Sequence, residues 1–232
     1  NAIIGLSDLL ASEDLTKIQR KYVTDIRTAS SSLLTIINEI LDFSKIEAGK
    51  LEVASVSFDL HTLFLSLQSM FAPVAQQKDI LFQMDMRDDL PRYAYGDDVK
   101  IRQILVNVIG NAMKFTSVGH VRLHAEVEAG MLRVRVEDTG IGIKAEDIPQ
   151  IFNQFQQLDL GTNRKVGGTG LGLAITKSLA ELLGGDIRVE SQYGKGTAFH
   201  IDLPFLPGDE STVAPLPQTD LCFSAPGAAI LV

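Results

Sequence analysis

Three short stretches carry residue types that suit a nucleotide. Asn107, Asn111 and Lys114 recur at spacings of four and three, and Asp138-Thr-Gly140-Ile-Gly142 follows. About thirty residues further on comes Gly167-Gly168-Thr169-Gly170-Leu171-Gly172. The first can supply amide oxygens for a metal, the second an anchor for a base, the third a helix start that faces phosphate. Their order and spacing make the signal, since each alone is common.

Leu132, Val134, Val136 and Asp138 share one parity of an alternating strand, so the carboxylate points where the apolar side chains point. A carboxylate aimed inward is costly unless it meets a donor, and the exocyclic amine of adenine is one. The competing reading is a plain Asp-x-Gly turn. Gly140 and Gly142 would let backbone approach a flat base. On the helix before it, Ile101, Ile104, Leu105, Val108, Ala112 and Phe115 form one face. Asn107, Asn111 and Lys114 form another, with Gly110 on it, a costly residue inside a helix unless something must come close. Amide oxygens suit Mg²⁺, which takes few protein ligands and completes its shell with phosphate and water. Lys114 can meet phosphate as a point charge. A merely solvated face would more often carry Glu, Lys and Arg than two Asn. Arg164 and Lys165 precede the last glycine run, whose helix would aim its first N–H groups at an anion. A dinucleotide-binding turn needs a strand immediately before it, and a Walker loop needs a Lys after the glycines; neither is present.

The elements that must hold these residues read as follows. Residues 1–11 are the end of a helix, and a long helix runs from about Lys17 to Ala48. Its apolar stripe is Ile18, Tyr22, Ile26, Ala29, Leu33, Ile36, Ile37, Ile40 and Phe43, with Gly49 at the stop. A hairpin of two helices cannot bury such a stripe alone and needs a second hairpin, most simply another copy. Then come a strand at Val53–Phe58, a helix at Leu60–Gln76 and a strand at Ile80–Met86. A loop follows, punctuated by Pro91 and Gly96. The next helix, Val99–Phe115, is capped by Asp97 or Asp98. Strands follow at His120–Glu128 and Met131–Asp138. Residues 139–169 form a long irregular stretch with a helical piece near Glu146–Phe155. A helix at Gly170–Leu183 and strands at Ile187–Ser191 and Thr197–Leu203 complete the pattern. The order predicts an α+β fold: a helical hairpin, four-helix as a dimer, followed by a two-layer α/β sandwich. Pro204, Pro207, Pro215, Pro217 and Pro226 mark a linker.

The chain has 232 residues, 45% apolar and 22% charged, enough for one or two packed domains. A net charge of −8 argues against general nucleic-acid binding. The single cysteine, Cys222, cannot build a disulfide framework, which fits a reducing, cytoplasmic setting. No apolar run is long enough for a membrane span, so a membrane would enter only through segments outside this chain.

Taken together, Asn107…Asn111-Ala-Met-Lys114-Phe-Thr116, Asp138-Thr-Gly-Ile-Gly-Ile143, Ile151-Phe152…Phe155 and Gly168-Thr-Gly-Leu-Gly-Leu173 resemble the N, G1, F and G2 boxes of sensor histidine kinases. Asn1-Ala-Ile-Ile-Gly5 and Ile40-Leu-Asp-Phe-Ser-Lys-Ile-Glu-Ala-Gly49 resemble that family's dimerisation hairpin. The resemblance spans residues 1–206. It implies a hairpin at 1–50, an ATP-binding catalytic domain at 51–206 of the kind shared with gyrase, heat-shock chaperone and mismatch-repair ATPases, and a linker at 207–232. The terminal Ala228–Val232 then reads as the first strand of a receiver domain, making the parent a hybrid kinase. The resemblance further implies ATP and Mg²⁺ as ligands. Asp138 would take the adenine amine with Thr197 in support, within a G1 turn of Gly140, Gly142 and Ile143. Asn111 would be the main Mg²⁺ ligand with Asn107 beside it. Lys114, Arg164 and Lys165 would face phosphates, together with Gly168, Thr169, Gly170, Leu171 and Gly172. Phe152 and Phe155 would hinge the lid.

Partners by the same resemblance are a second copy through the hairpin and a response regulator or receiver domain. The ATPase relatives carry a Glu base one helical turn before the metal Asn. Here that place is Asn107, and an amide cannot take a proton from water, which favours transfer to an external nucleophile. The phosphoacceptor His of the family is expected just upstream of Asn1. His61, His120, His124 and His200 lack its Ser-His-Glu context and read as structural or solvent-facing. Two other readings stay open: a non-catalytic module that binds a nucleotide or a partner, and an ATPase of the gyrase or chaperone type.

Overall fold

The computed structural model describes residues 2–156 and 169–213. Its first part is a helical hairpin, α1 (Ala2–Ala11) and α2 (Lys17–Glu47). Thr16 starts α2 with a capping box: its hydroxyl accepts from the Gln19 N–H, and the Gln19 side chain accepts from the Thr16 N–H at 3.0 Å. Among the described side chains of the hairpin, Ser7 and Val23 are buried. Ile18, Tyr22, Ile26, Leu33, Ile36, Ile37 and Ile40 of the stripe are exposed. Phe43 departs from that expectation. With Ile46 and Leu51 it packs against the core of the second part.

That second part is a sandwich. Five strands, β2 (Leu81–Met86), β4 (His120–Glu128), β5 (Met131–Asp138), β6 (Asp186–Gln192) and β7 (Gly196–Pro204), form one sheet in the order β2-β4-β5-β7-β6. Only β2 and β4 run parallel; all other pairs are antiparallel. Three helices, α3 (Leu60–Lys78), α4 (Asp98–Phe115) and α5 (Gly172–Leu182), cover one face. Leu132, Val134, Val136, Phe199, Ile201 and Leu203 meet Ile104, Leu105, Val108, Ile175 and Leu179 in one continuous core. The other face carries cross-strand ion pairs, such as Arg87–Glu126 at 3.1 Å and Arg133–Asp202 at 3.9 Å. His124 there lies 3.4 Å from Asp85, and His200 lies 3.6 Å from Glu190. The His61 ring nitrogen is 3.0 Å from the Leu90 carbonyl. His124 and His200 thus neighbour surface carboxylates, while His61 contacts backbone.

Four features differ from the pattern read in the sequence. The loop before α4 contains a strand, β3 (Tyr93–Gly96), which pairs antiparallel with β1 (Val56–Asp59). The helical piece near Glu146–Phe155 is only a 3₁₀ turn, Ile148–Gln150. Phe155 adopts a left-handed φ of 58° and gives its N–H to the Gly170 carbonyl, which no helix permits. α5 starts at Gly172 rather than Gly170, because Gly170 is itself left-handed, with φ 74°. The linker expected from 207 begins as part of the sandwich. Tyr95 N–H donates to the Leu206 carbonyl at 2.8 Å, Gly208 N–H to Tyr93 at 3.1 Å, and Tyr93 Oη to Glu210 at 2.7 Å. The rest of that linker, Cys222 and the strand expected at Ala228–Val232 lie outside the described residues.

Asp97 ties the two parts together. One carboxylate oxygen caps α4 by accepting from Lys100 N–H at 3.0 Å. The other accepts from Ala54 N–H at 2.9 Å, in the segment that joins hairpin to sandwich, and from Lys100 Nζ at 2.5 Å.

Candidate functional site

Asp138 ends β5 with its side chain on the buried face, 6% exposed. Its Oδ1 accepts from the Gly140 N–H at 2.8 Å. Burial pushes its pKa up, against the opposing pull of the Gly140 and Thr197 backbone N–H groups. Thr197 faces it across the β5–β7 ladder and is itself buried. Ser191 orders this corner, a role the sequence did not signal. Its Oγ accepts from Ile143 N–H at 2.8 Å, donates to the Gly196 carbonyl at 2.9 Å and lies 3.0 Å from Thr197 Oγ1. Gly196 has φ 125°, and a Cβ there would sit 1.9 Å from the Asp138 carbonyl oxygen, so only glycine lets β7 close on this residue.

The G1 glycines are required for a different reason from the one expected. A Cβ on Gly140 would meet the Phe115 carbonyl oxygen at 2.5 Å, and one on Gly142 the Gln192 carbonyl oxygen at 2.1 Å. Protein backbone occupies the space that a Cβ would need at either position. The consequence is still useful: the Asp138 turn packs directly on the C-terminal end of α4, one turn beyond Asn111.

On α4 the two amides play different parts. Asn107 Nδ2 donates to the Gly172 carbonyl at 2.7 Å and to Thr176 Oγ1 at 3.1 Å. It fastens the start of α5 to α4, and a Cβ on Gly172 would strike it at 2.8 Å. Asn111, half-buried, has no side-chain hydrogen bond among the described residues. Gly110 beside it faces open space: a Cβ there would find nothing within 4 Å. Lys114 is half-buried, its Nζ 5.1 Å from the Phe115 ring, and burial lowers its pKa. Lys78, absent from the sequence reading, caps this end of α4. Its Nζ donates to the carbonyls of Met113 (2.5 Å), Lys114 (3.3 Å) and Thr116 (3.2 Å).

The start of α5 closes the site. Leu171 is buried and precedes the helix, and its own side chain caps none of the first N–H groups, the groups that suit an anion. Thr169 Oγ1 accepts from Leu171 N–H at 3.1 Å and donates to Glu39 of α2 at 2.5 Å. Phe152 packs edge-on against Phe199 at 6.5 Å, while Phe155 is 65% exposed and anchors no core. Arg164, Lys165 and Gly168 lie outside the described residues.

These donors suit a nucleotide with a metal that it helps to hold. Among the described residues no group of three or more His, Cys, Asp or Glu could cage an ion. Among the described residues the Asn111 side chain holds no hydrogen bond, and Asn107 is held through its Nδ2, not its amide oxygen. Mg²⁺ held partly by phosphates and water needs no more. A buried carboxylate with spare acceptor capacity matches an amine donor rather than a cation.

A sheet-end carboxylate beside an Asn-bearing helix and a glycine-started helix, mounted on a helical hairpin, defines a nucleotide-type sandwich on a dimerisation-type stem. Residues 96–207 match the family of histidine kinase-, DNA gyrase B- and HSP90-like ATPases, and residues 1–49 match the His Kinase A (phospho-acceptor) domain. The chain belongs to the sensor histidine kinases. It is 42% identical over 208 residues to Sensor protein GacS of Pseudomonas syringae pv. syringae, covering 88% of this chain and 23% of that one. Among solved structures, full-length ShkA in complex with AMPPNP superposes with a TM-score of 0.74 at 33% identity, over 89% of this chain and 43% of that one. The histidine kinase ThkA in complex with the response regulator protein TrrA superposes with a TM-score of 0.62 at 25% identity, over 89% of this chain and 57% of that one. The chain thus spans 23% of the length of the GacS relative.

Proposed function

We propose that this chain is the ATP-binding catalytic core of a sensor histidine kinase, which positions the γ-phosphate of ATP for transfer to a histidine on the dimerisation helix. The observation that carries the reading is the buried Asp138 carboxylate, whose turn packs on Phe115 of α4, one helical turn beyond Asn111. Asp138 would accept the adenine amine. Asn111 would hold Mg²⁺ together with the phosphates, and Lys114 and the N-terminus of α5 would receive phosphate charge. Mg²⁺, when bound, neutralises the charge that develops on the phosphoryl oxygens. Arg164, Lys165 and Gly168 join the phosphate side by family resemblance alone. Asn107 adds a positioning task, because its donor locks α5 to α4, and it offers no base for water. That favours transfer over steady hydrolysis of the gyrase or chaperone kind.

The exposed apolar stripe of the hairpin supports a second copy as partner, giving a four-helix bundle. The complex of ThkA with TrrA supports a response regulator as the phosphate's next destination, and a receiver domain in the same polypeptide would make the parent a hybrid kinase. Among the described residues no helix is long and apolar enough to cross a membrane. A cytoplasmic location for this part is the setting that ATP as substrate supports.

The test is to join the chain to a dimerisation segment that carries an acceptor histidine and incubate it with γ-labelled ATP. Acid-labile, base-stable label on the chain is expected. ATP bound without any such label would favour a non-catalytic signalling module, and sustained phosphate release without label would favour an ATPase.

A further inference from the structure

Lys78 is the last residue of α3, and Asp79 stops the helix behind it with a left-handed φ of 56°. Ala75 and Phe71, one and two turns earlier, are buried in the core and fix where α3 ends. The Lys78 ammonium has three donors, and three main-chain carbonyls receive them: Met113 at 2.5 Å, Lys114 at 3.3 Å and Thr116 at 3.2 Å. The residue as a whole is exposed, so burial does not force this choice; the negative end of the α4 dipole attracts the charge. The carbonyl left out of the set, on Phe115, accepts from Ile141 N–H at 3.4 Å, and the Ala112 carbonyl accepts from Thr116 N–H at 3.1 Å. The orphan carbonyls that end α4 are thus divided between Lys78 and the turn that follows Asp138. The same last turn of α4 carries Asn111 and Lys114.

We infer that Lys78 is a positioning residue of the nucleotide site: its ammonium holds the end of α4, and with it Asn111 and Lys114, in register with the Asp138 anchor. The inference rests on the ATP reading and adds a residue that touches no ligand. Base and phosphates are met by separate elements, Asp138 on β5 and Asn111 with Lys114 on α4. Their spacing is set where the end of α4 meets the Asp138 turn, a joint so close that a Cβ on Gly140 would strike the Phe115 carbonyl oxygen at 2.5 Å. Without Lys78 three carbonyls turn to water, and the Phe115–Ile141 hydrogen bond alone must hold the joint. A metal ligand that loses its support binds less well, although its own atoms are unchanged. The base anchor keeps its bond to Gly140 N–H and its place beside β7. The loss therefore falls on the metal rather than on the purine.

Calorimetry on this chain, with ATP in Mg²⁺ and with ATP in EDTA, separates this role from that of an ordinary helix cap. Both roles predict lower stability for Lys78→Met, which keeps the length of the side chain and loses its donors. Only the positioning role predicts that the gain in ATP affinity brought by Mg²⁺ shrinks, by about tenfold, while affinity in EDTA falls by no more than about twofold. Lys78→Arg, which keeps charge and donors, should recover most of the gain. Lys78→Gln, a milder change for folding, should lose it in the same direction as Lys78→Met. Hydrogen exchange without nucleotide should show the Ile141 amide exchanging faster in Lys78→Met, with the Ile101 amide at the far end of α4 unchanged. A Mg²⁺-linked gain equal to that of the wild type in Lys78→Met and Lys78→Gln, or an Ile141 amide indifferent to the substitution, would reduce Lys78 to a cap and overturn the inference, with the nucleotide site intact. Absence of ATP binding in the wild type would overturn both.

Discussion

At the scale of single residues, the site is set by what each polar group already holds. Asn107 and Asn111 look equivalent in the sequence, one helical turn apart. In the fold the Nδ2 of Asn107 is tied to α5, while among the described residues the Asn111 side chain holds no hydrogen bond. Spacing shows that two amides share a face; it cannot show that Gly172, sixty-five residues away, claims one of them. Asp138 is legible because its parity continues that of three apolar residues. Its pKa is raised by burial, so the folded chain keeps the proton to a higher pH than the unfolded chain. Between the two pKa values the folded form binds more protons, and stability falls as pH rises through that window, from about pH 4 upward. The wild type should therefore lose melting temperature relative to Asp138→Asn as pH climbs through this range. Parallel melting curves for the two proteins would contradict it. ATP affinity, which uses the charged form, should weaken on acidification at a pH above the usual carboxylate range.

At the scale of elements, legibility follows locality. β4 and β5 are legible to the residue, because strict alternation is interrupted only by Ala129-Gly130. β3 is not, because four residues between a Pro and a Gly look like loop, and their pairing with β1 depends on a partner more than thirty residues away. The strand order, with β2 parallel to β4, leaves no local trace. Neither does the return of residues 206–210 to the β1–β3 pair, since prolines there suggest a linker. The cap formed by Asp97 can be foreseen, but not its second task. Burial works to raise its pKa, yet Lys100 and the Ala54 N–H outweigh burial and hold it below the usual value. Asp97→Asn keeps an oxygen for the cap but puts an NH₂ group where Ala54 N–H and Lys100 Nζ need an acceptor. A loss of about 1–3 kcal/mol is expected in denaturant unfolding. Exchange of the Ala54 amide should rise in the same variant. Unchanged stability would show that the link to the stem is ornamental to the fold.

At the scale of the whole molecule, the stem faces two ways. Ile37 and Ile40 are 44% and 46% exposed on one side, while Phe43 and Ile46 are held by the sandwich on the other. An apolar stripe of this length marks an interaction face rather than scattered surface residues. Sedimentation should give twice the chain mass at micromolar concentration. The pair Ile37→Asp and Ile40→Asp should give single chains that still bind ATP. A wild type that sediments as one chain at tens of micromolar would remove the proposed dimer.

The purine anchor is the part on which the nucleotide site stands or falls. Calorimetric titration of Mg·ATP into the wild type and into Asp138→Asn, at neutral pH and with matched folding by circular dichroism, tests it most directly. The amide is close to the carboxylate in size but presents an NH₂ group or a neutral oxygen to the adenine amine. A charged hydrogen bond lost in a buried site is worth about 1.5–3 kcal/mol. The predicted result is saturable binding to the wild type and affinity at least about tenfold weaker for the variant. Equal affinities would contradict the assignment of Asp138, and with it the nucleotide site built around it.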